Sequence, residues 1–460
     1  MKVLLINPPT KKAGVPSIPP LGLAYLAAVL RENNAAVDII DYDLERSKFD
    51  NFNDAVETYS PDIIGISALT LQIDNAYSLA HKVKKISKDI RVVLGGAHPS
   101  ALPEQTLKEA SGAVDIVAVG EGEMTILDIA KGLSYENIKG IVYVNNGQIL
   151  KTPPRQAIEN LNTLPLPARD LLKIKKYRGW GPLRKTPTTH LISSRGCPFE
   201  CIFCSEKSVF GKSYRVRSPE NIVSEIKHLV DTYGMEEISF YDDLFTLDKK
   251  HVMEICEKLE QEKITIEWKA LSRVNTVDFQ MLETMRRAGC WLISYGFESG
   301  SQEILNAIRK NQTIEQCVAA ALMTHQAGIK FYGFFMIGNV GETEETVIQT
   351  IRLARKLRPD YYQFTIVRPD PGSYLYNKYK DAIEKAHVSW EEYYAFSSDN
   401  SIPVVGTLLS VNRLLELRDI AYICTNFRSF VKGFIKAALT LKWDLLLKAV
   451  NILLNKEKAA

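Results

Sequence analysis

The chain has 460 residues, 46% of them apolar and 24% charged, and a formal net charge of +3. These figures suit a globular protein of two or three domains, and a charge so near zero gives no footing for a nucleic-acid partner. No apolar run reaches the eighteen or so residues of a membrane span, the N-terminal M-K-V-L-L-I-N-P-P is too short in its apolar part for a signal peptide, and seven cysteines without a regular framework point to a reducing, cytoplasmic compartment.

Residues 1–140 alternate short β-branched runs with amphipathic stretches. Strands are expected at Val3–Ile6, Val37–Ile40, Ile63–Ser67, Val92–Leu94 and Ile116–Val119, with helices between them such as Leu21–Arg31 and Asp74–Ile86. This rhythm predicts a doubly wound, Rossmann-like parallel sheet, whose ligands sit outside the carboxyl ends of the strands. The candidate contacts there are Asn7 and Pro8 after the first strand and Thr70 after the third. Gly95, Gly96 and His98 follow the fourth, and Gly120, Glu121 and Gly122 the fifth. The glycines let backbone approach a large ligand closely. No G-x-G-x-x-G follows the first strand, which weakens a dinucleotide reading.

Residues 141–186 are rich in proline and read as an irregular linker that wraps the interdomain seam. Tyr177 and Trp180 in it either line a substrate entrance or simply pack.

Residues 187–400 carry a second series. Strands are expected at Thr188–Ser194, Glu237–Tyr241, Ile266–Leu271, Leu292–Phe297, Lys330–Met336 and Tyr362–Val367, separated by amphipathic helices. Six units predict a partial (β/α)6, TIM-like barrel with its chemistry at the strands' carboxyl ends. Polar loops fall there after each strand: the cysteine segment, Asp242-Asp243, Ser272-Arg273, Glu298-Ser299-Gly300, Gly338 to Glu342, and Arg368 to Gly372. Asp242 and Asp243 have a plainer reading as helix N-caps, and Glu342 as a first-turn acid opposite a helix dipole.

The cysteine segment, S-R-G-C-P-F-E-C-I-F-C-S, places Cys197, Cys201 and Cys204 in the spacing C-x3-C-x2-C. Three such thiolates can hold three irons of a 4Fe–4S cubane and leave the fourth open, so the cluster would be a reaction centre. Zinc competes, but its sites usually pair C-x2-C with a second pair of ligands, and no Cys lies within fifty residues on either side. Buried thiols without a metal are the remaining alternative. Cys256, Cys290, Cys317 and Cys424 are scattered singly and read as small core residues.

Residues 401–460 are helical in pattern from Asn412 onward. Phe427, Phe430, Val431, Phe434 and Ile435 fall to one side, with Arg428, Lys432, Lys436, Lys442 and Lys448 among the others. The segment either caps the open side of the barrel or lies on an anionic membrane surface.

With these residues in place, the cysteine spacing resembles the radical S-adenosylmethionine (SAM) superfamily. The first segment, with its G-G-A-H-P-S-A-L-P-E and V-G-E-G-E-M-T loops, is similar to the cobalamin-binding domain found ahead of such cores. The resemblance implies that SAM chelates the open iron and is cleaved by one electron to methionine and a 5′-deoxyadenosyl radical. It implies that Phe203 lies beside the adenine and that Asp242 or Asp243 binds the methionine amino group. Ser272, Arg273 and Glu298 would meet the ribose or carboxylate, and Gly338 would let the adenine pack on backbone. It also implies cobalamin, although no D-x-H-x-x-G offers an axial His, and a domain that has lost the cofactor is the alternative.

The expected activity is methylation of an unactivated carbon in a small molecule, with a lipid or polycycle among the candidates. Radical ring closure or rearrangement is the alternative within the same chemistry, and a non-catalytic cobalamin or redox sensor is the alternative outside it. A methylthiotransferase is disfavoured because residues 1–196 hold no Cys for a second cluster. The expected partners are the small-molecule substrate and an electron donor such as flavodoxin or ferredoxin, with peripheral membrane contact left open.

Overall fold

A computed structural model describes residues 1–10, 18–385, 389–390, 393 and 406–425. The five β-branched runs of the first segment form β1 (Lys2–Asn7), β2 (Ala36–Asp41), β3 (Ile63–Ser67), β4 (Arg91–Gly95) and β5 (Ile116–Ala118). They lie parallel in the order β2-β1-β3-β4-β5. Both faces of the sheet are covered, which is why the strands read as continuous apolar runs and not as alternations. Val3 and Leu5 pack with Leu23 and Leu30 of helix Leu21–Glu32, whereas Leu4 and Ile6 pack with Ile73 and Leu79 of helix Ile73–Ile86. The order reverses at β1/β3, so the ligand crevice belongs at their carboxyl ends.

The stretch read as irregular from residue 141 begins with two more strands. β6 (Ile141–Asn145) and β7 (Gln148–Lys151) form a hairpin that extends the sheet antiparallel from β5. Its turn is Asn146-Gly147, with φ +49° and +79°, the positive values that a tight two-residue hairpin demands. Beyond it the chain does run along the seam. Asp170 pairs with Arg31 at 2.6 Å, Tyr177 Oη donates to Asp41 at 2.6 Å, and Arg169 pairs with the buried Glu225. Trp180 stacks on Phe334 at 5.9 Å, while Lys269 Nζ donates to the carbonyls of Trp180 and Pro182. Tyr177 and Trp180 therefore pack, the latter toward the amino-terminal end of the barrel strands and away from the polar loops.

The second sheet comprises β8 (Thr188–Leu191), then, after the short pair β9 (Ser194–Arg195) and β10 (Arg215–Val216), the strands β11 (Glu237–Phe240), β12 (Glu267–Ser272), β13 (Cys290–Glu298), β14 (Lys330–Ile337) and β15 (Tyr361–Ile366). The six long strands are all parallel and in sequential order, with β8 and β15 at the two edges. This is the open (β/α)6 arrangement. Ile238, Phe240, Trp268, Ile293, Phe331 and Phe335 form its core with the apolar stripes of the surrounding helices. Ser218, Asp248 and Asp278 each accept a hydrogen bond from a first-turn amide; loss of one such cap costs about 1 kcal/mol. The cap after β11 is thus Asp248, not Asp242 or Asp243.

Helix Val411–Thr425 buries Leu414, Leu417, Ile420 and Ala421 in the barrel core, and its Tyr422 Oη accepts from the amide of Phe364 in the edge strand β15. This part covers the barrel. The Phe427–Ile435 stripe and its basic neighbours lie outside the described residues. No helix among the described residues is long and apolar enough to cross a membrane. Cys256, Cys290, Cys317 and Cys424 are buried free thiols.

Candidate active site

The three cysteines sit in the loop that β9 and β10 close by antiparallel pairing of Arg195 with Arg215. Gly196 opens that loop at φ +86°, and a Cβ there would lie 2.2 Å from the Ser213 carbonyl oxygen. Only glycine fits. Cys204 N donates to Cys201 O at 3.2 Å, turning the motif on itself. All three thiols are free and partly buried. Burial raises Cys197 and pushes Cys204 up to about 12, so they stay protonated at neutral pH unless a metal takes the proton's place. Among the described residues no three His, Cys, Asp or Glu side chains close on a single ion. A cubane asks for something different, one thiolate at each of three iron corners, and this donor set suits that.

Buried polar groups surround the loop. Asp242 Oδ1 accepts from the amide and hydroxyl of both Ser193 and Ser194, at 2.8 Å from Ser193 N. It thereby anchors the strand that enters the cysteine loop, and burial still pushes it up to about 6. Asp243 lies beside the Gly196 amide and is also raised, by burial and by Asp242; the buried Glu206 carboxyl stands against it and is itself pushed up to about 7, and no N–H or O–H donor reaches Asp243 Oδ2. Lys310 Nζ donates to Glu298 at 2.6 Å and stands 5.8 Å from the centre of the Phe203 ring. Glu298 itself has φ +63°, a conformation that costs a non-glycine residue energy and is retained where its surroundings fix it. Arg273 donates to Cys201 Sγ at 3.4 Å. Ser272 bonds to Thr246 at 2.6 Å.

Gly338 stands apart from this group. Its φ is +88°, and a Cβ there would meet Leu414 at 3.1 Å, so its open side faces helix Val411–Thr425. Glu342 accepts from the amides of Gly338 and Asn339, and Thr343 caps the helix that follows. Glu342 therefore closes a loop and is not a first-turn acid.

At the first sheet, a cavity of about 180 Å³ lies beside the carboxyl ends of the strands, lined by Leu5, Gly22, Gly65, Ala118 and Gly122. It is shaped by missing side chains: a Cβ on Gly65 would meet Leu5 at 2.8 Å, and one on Gly122 would meet Leu26 at 3.2 Å. Gly95, Gly96 and Gly120 also reach it, and Val209 and Phe210 of the cysteine loop form part of its wall. An apolar slot of this kind fits a flat, apolar arm of a large cofactor, such as a lower base displaced from cobalt. His98 is turned elsewhere. Its Nδ1 bonds to Thr70 at 3.2 Å and its ring meets Trp390 edge-on at 4.7 Å, with burial holding it down at about 3. Asn7 is tied to Asp41 at 2.7 Å and the Pro8 carbonyl to Gln72 at 2.7 Å.

Glu121 is fully engaged. It accepts from Arg195 at 3.1 Å, from Arg215 at 2.9 Å and from the Ile158 amide at 2.7 Å. The loop after β5 is thus locked to both strands that bracket the cysteines, and Gly372, in the loop after β15, packs against Ser208 and Ala101. The strand-end faces of the two sheets meet. Arg195, Arg215, Lys310 and Gln72 were not singled out by sequence reasoning; the basic pair flanking the cysteine loop, opposite an acidic loop, was the one available signal.

Comparison with known proteins places this geometry. The B12 binding domain family matches residues 15–130 and the Radical SAM superfamily residues 191–354. An uncharacterized methyltransferase of Pyrococcus horikoshii is 40% identical over 384 residues, 82% of each chain. The anaerobic magnesium-protoporphyrin IX monomethyl ester cyclase of Rubrivivax gelatinosus is 31% identical over 84% of this chain and 71% of its own. In fold, the chain is similar to the radical SAM methyltransferase TsrM of Kitasatospora setae, solved with cobalamin and a 4Fe–4S cluster, with a TM-score of 0.69 at 17% identity over 84% of this chain and 78% of that one.

Proposed function

The chain belongs to the cobalamin-dependent radical SAM enzymes, a family of methyltransferases and cyclases whose cofactors are cobalamin, SAM and a 4Fe–4S cluster, and we propose that it methylates an unactivated carbon of a hydrophobic small molecule. When bound, the cluster and SAM supply a 5′-deoxyadenosyl radical, and cobalamin supplies the methyl group. Cys197, Cys201 and Cys204 hold the cluster and leave one iron open. Asp243, whose buried Oδ2 no N–H or O–H donor reaches, takes the amino group of SAM, and Asp242 keeps the cysteine loop in register. Phe203 lies beside the adenine, and the Glu298–Lys310 pair meets the ribose or carboxylate. The glycine-lined cavity receives the lower-base arm of the cobalamin, and the domain that holds it extends to Lys151.

One observation carries this reading: Val209 and Phe210, a few residues past Cys204, wall the cavity of the first sheet. A substrate carbon between the two strand-end faces can therefore meet the radical on one side and the methyl donor on the other. The closing of water from that space is the protein's main contribution. A one-electron donor such as flavodoxin or ferredoxin is the expected redox partner. The identity with a protein named as a methyltransferase exceeds that with the cyclase, 40% against 31%, and so favours methylation. The test is anaerobic reconstitution with cobalamin and methyl-labelled SAM, offered extracts of cells with and without the gene. A product carrying the labelled methyl group supports the proposal; a product of unchanged carbon count supports ring closure.

A further inference from the structure

Arg273 follows β12 and is only 6% exposed. All three of its guanidinium nitrogens are committed to the cysteine loop and its supports. Nη1 donates to Cys201 Sγ at 3.4 Å, Nη2 donates to the Lys310 carbonyl, and Nε donates to Asn275 Oδ1 at 3.3 Å. The Phe199 ring, inside the C-x3-C segment, lies 3.9 Å from its Cζ. Lys310 is itself fixed by its bond to Glu298. The guanidinium is thus a planar fork clamped between an aromatic face and a thiol, shielded from water. The family resemblance assigns this residue to the ribose or carboxylate of SAM; its donors point elsewhere.

We propose that Arg273 is a positioning residue that sets the reduction potential of the cluster through its N–H bond to Cys201. The inference rests on the reading that Cys197, Cys201 and Cys204 hold a 4Fe–4S cluster. A hydrogen bond to a ligand sulfur and a nearby cation both favour the more negative, reduced cluster and so raise its potential. Burial strengthens the effect, because charge acts over a lower effective dielectric there than in water. The fork also holds Cys201 to the chain at Lys310, beside the Ile202 amide that donates to Ile308 O at 3.1 Å.

The test is a redox titration, followed by electron paramagnetic resonance, of the full chain reconstituted anaerobically. Arg273→Met should move the reduction equilibrium at least tenfold toward the oxidised cluster, which for one electron is a fall of about 59 mV or more. Arg273→Lys keeps the charge but loses the two-armed donor, and its potential should fall between the two. SAM affinity, measured by equilibrium dialysis on the same samples, separates an effect on the cluster from the loss of a direct SAM contact. An unchanged potential in Arg273→Met at equal iron content overturns the proposal, and loss of SAM binding with that unchanged potential would return Arg273 to the SAM site. Should Arg273→Met hold no iron, Arg273→Lys decides in the same way: a lowered potential supports the proposal and an unchanged one overturns it. A wild-type protein without a 4Fe–4S signal would overturn the cluster reading instead, which is a separate and recognisable failure.

Discussion

Glu121, in the loop after the fifth strand, accepts a hydrogen bond at 3.1 Å from Arg195, two residues ahead of Cys197, and both side chains are buried. Arg215 reaches the same carboxylate from the far side of the cysteine loop at 2.9 Å. A single acid of the cobalamin domain thus holds both ends of the loop that carries the cluster ligands.

That arrangement makes Glu121→Ala costly. Removing one partner of a buried ion pair leaves the other charge uncompensated, a loss of about 3–5 kcal/mol; here Arg215 loses its carboxylate, while Arg195 keeps Glu123 at 2.6 Å. Urea denaturation should show a fall of that order. Because the cysteine loop is then anchored at its Arg195 end alone, iron retention after gel filtration should fall as well. Wild-type stability in Glu121→Ala would mean that the clamp contributes nothing.

Gly22→Leu tests the cavity. Gly22 lies in the first turn of helix Leu21–Glu32 and lines the slot, and a Cβ there meets nothing within 4 Å. Leucine suits a helix better than glycine, so the fold is kept while the slot is filled. Cobalamin affinity, read by absorbance titration, should fall at least tenfold with iron content unchanged. Equal affinity in the variant would place the cofactor elsewhere. In the wild type the bound cofactor should give a base-off spectrum, since no axial His is offered and His98 is held against Thr70 and Trp390.

Glu342 gives a pH dependence. Burial raises it from 4.5 to about 7, against the pull of the Asn339 and Gly338 amides. The folded state then holds the proton more tightly than the unfolded chain does. The stabilisation is present below about pH 4.5 and is lost as pH rises through about 7, an effect of roughly 3 kcal/mol at most. Glu342→Gln removes it. The melting temperature of the wild type should therefore fall more between pH 5 and pH 8 than that of Glu342→Gln. Parallel curves would show that Glu342 titrates normally.

The strands and the cysteine motif were legible because they are local signals: continuous β-branched runs and a three-thiol spacing read from adjacent residues. The hairpin at 141–151 was legible too, through Asn146-Gly147 between alternating apolar residues, but the prolines just beyond drew the segment into a linker. What sequence could not carry was partnership across distance. Glu121 stood in a loop that looked ligand-binding, and only the fold brings Arg195 and Arg215 to it from the other domain. Asp242 and Asp243 were indistinguishable as neighbours in sequence. The structure separates them, one consumed by Ser193 and Ser194, the other left with an oxygen that no N–H or O–H donor reaches. Lys310 carried no signal, because its meaning depends on Glu298 and on the carbonyl it offers Arg273.

The proposed hydrophobic substrate raises the matter of a membrane surface. Residues 411–460 hold nine Lys or Arg against four Asp or Glu, and basic residues near an anionic leaflet contribute about 1 kcal/mol each. Flotation with anionic vesicles should carry the full chain upward at low salt and lose it at high salt. The result should vanish when residues 426–460 are removed, since helix Val411–Thr425 is already packed on the barrel. No flotation at low salt would leave a soluble substrate and a covering role for the whole segment.

The central claim, that Cys197, Cys201 and Cys204 build a cluster that cleaves SAM, is tested most directly by 5′-deoxyadenosine release. The protein is reconstituted anaerobically, reduced, given SAM, and compared with the variant in which all three cysteines are alanine. The wild type should carry about four irons per chain and release 5′-deoxyadenosine, while the triple variant does neither. Retention of about four irons by the triple variant, or no 5′-deoxyadenosine from a fully loaded and reduced wild type, would contradict the account.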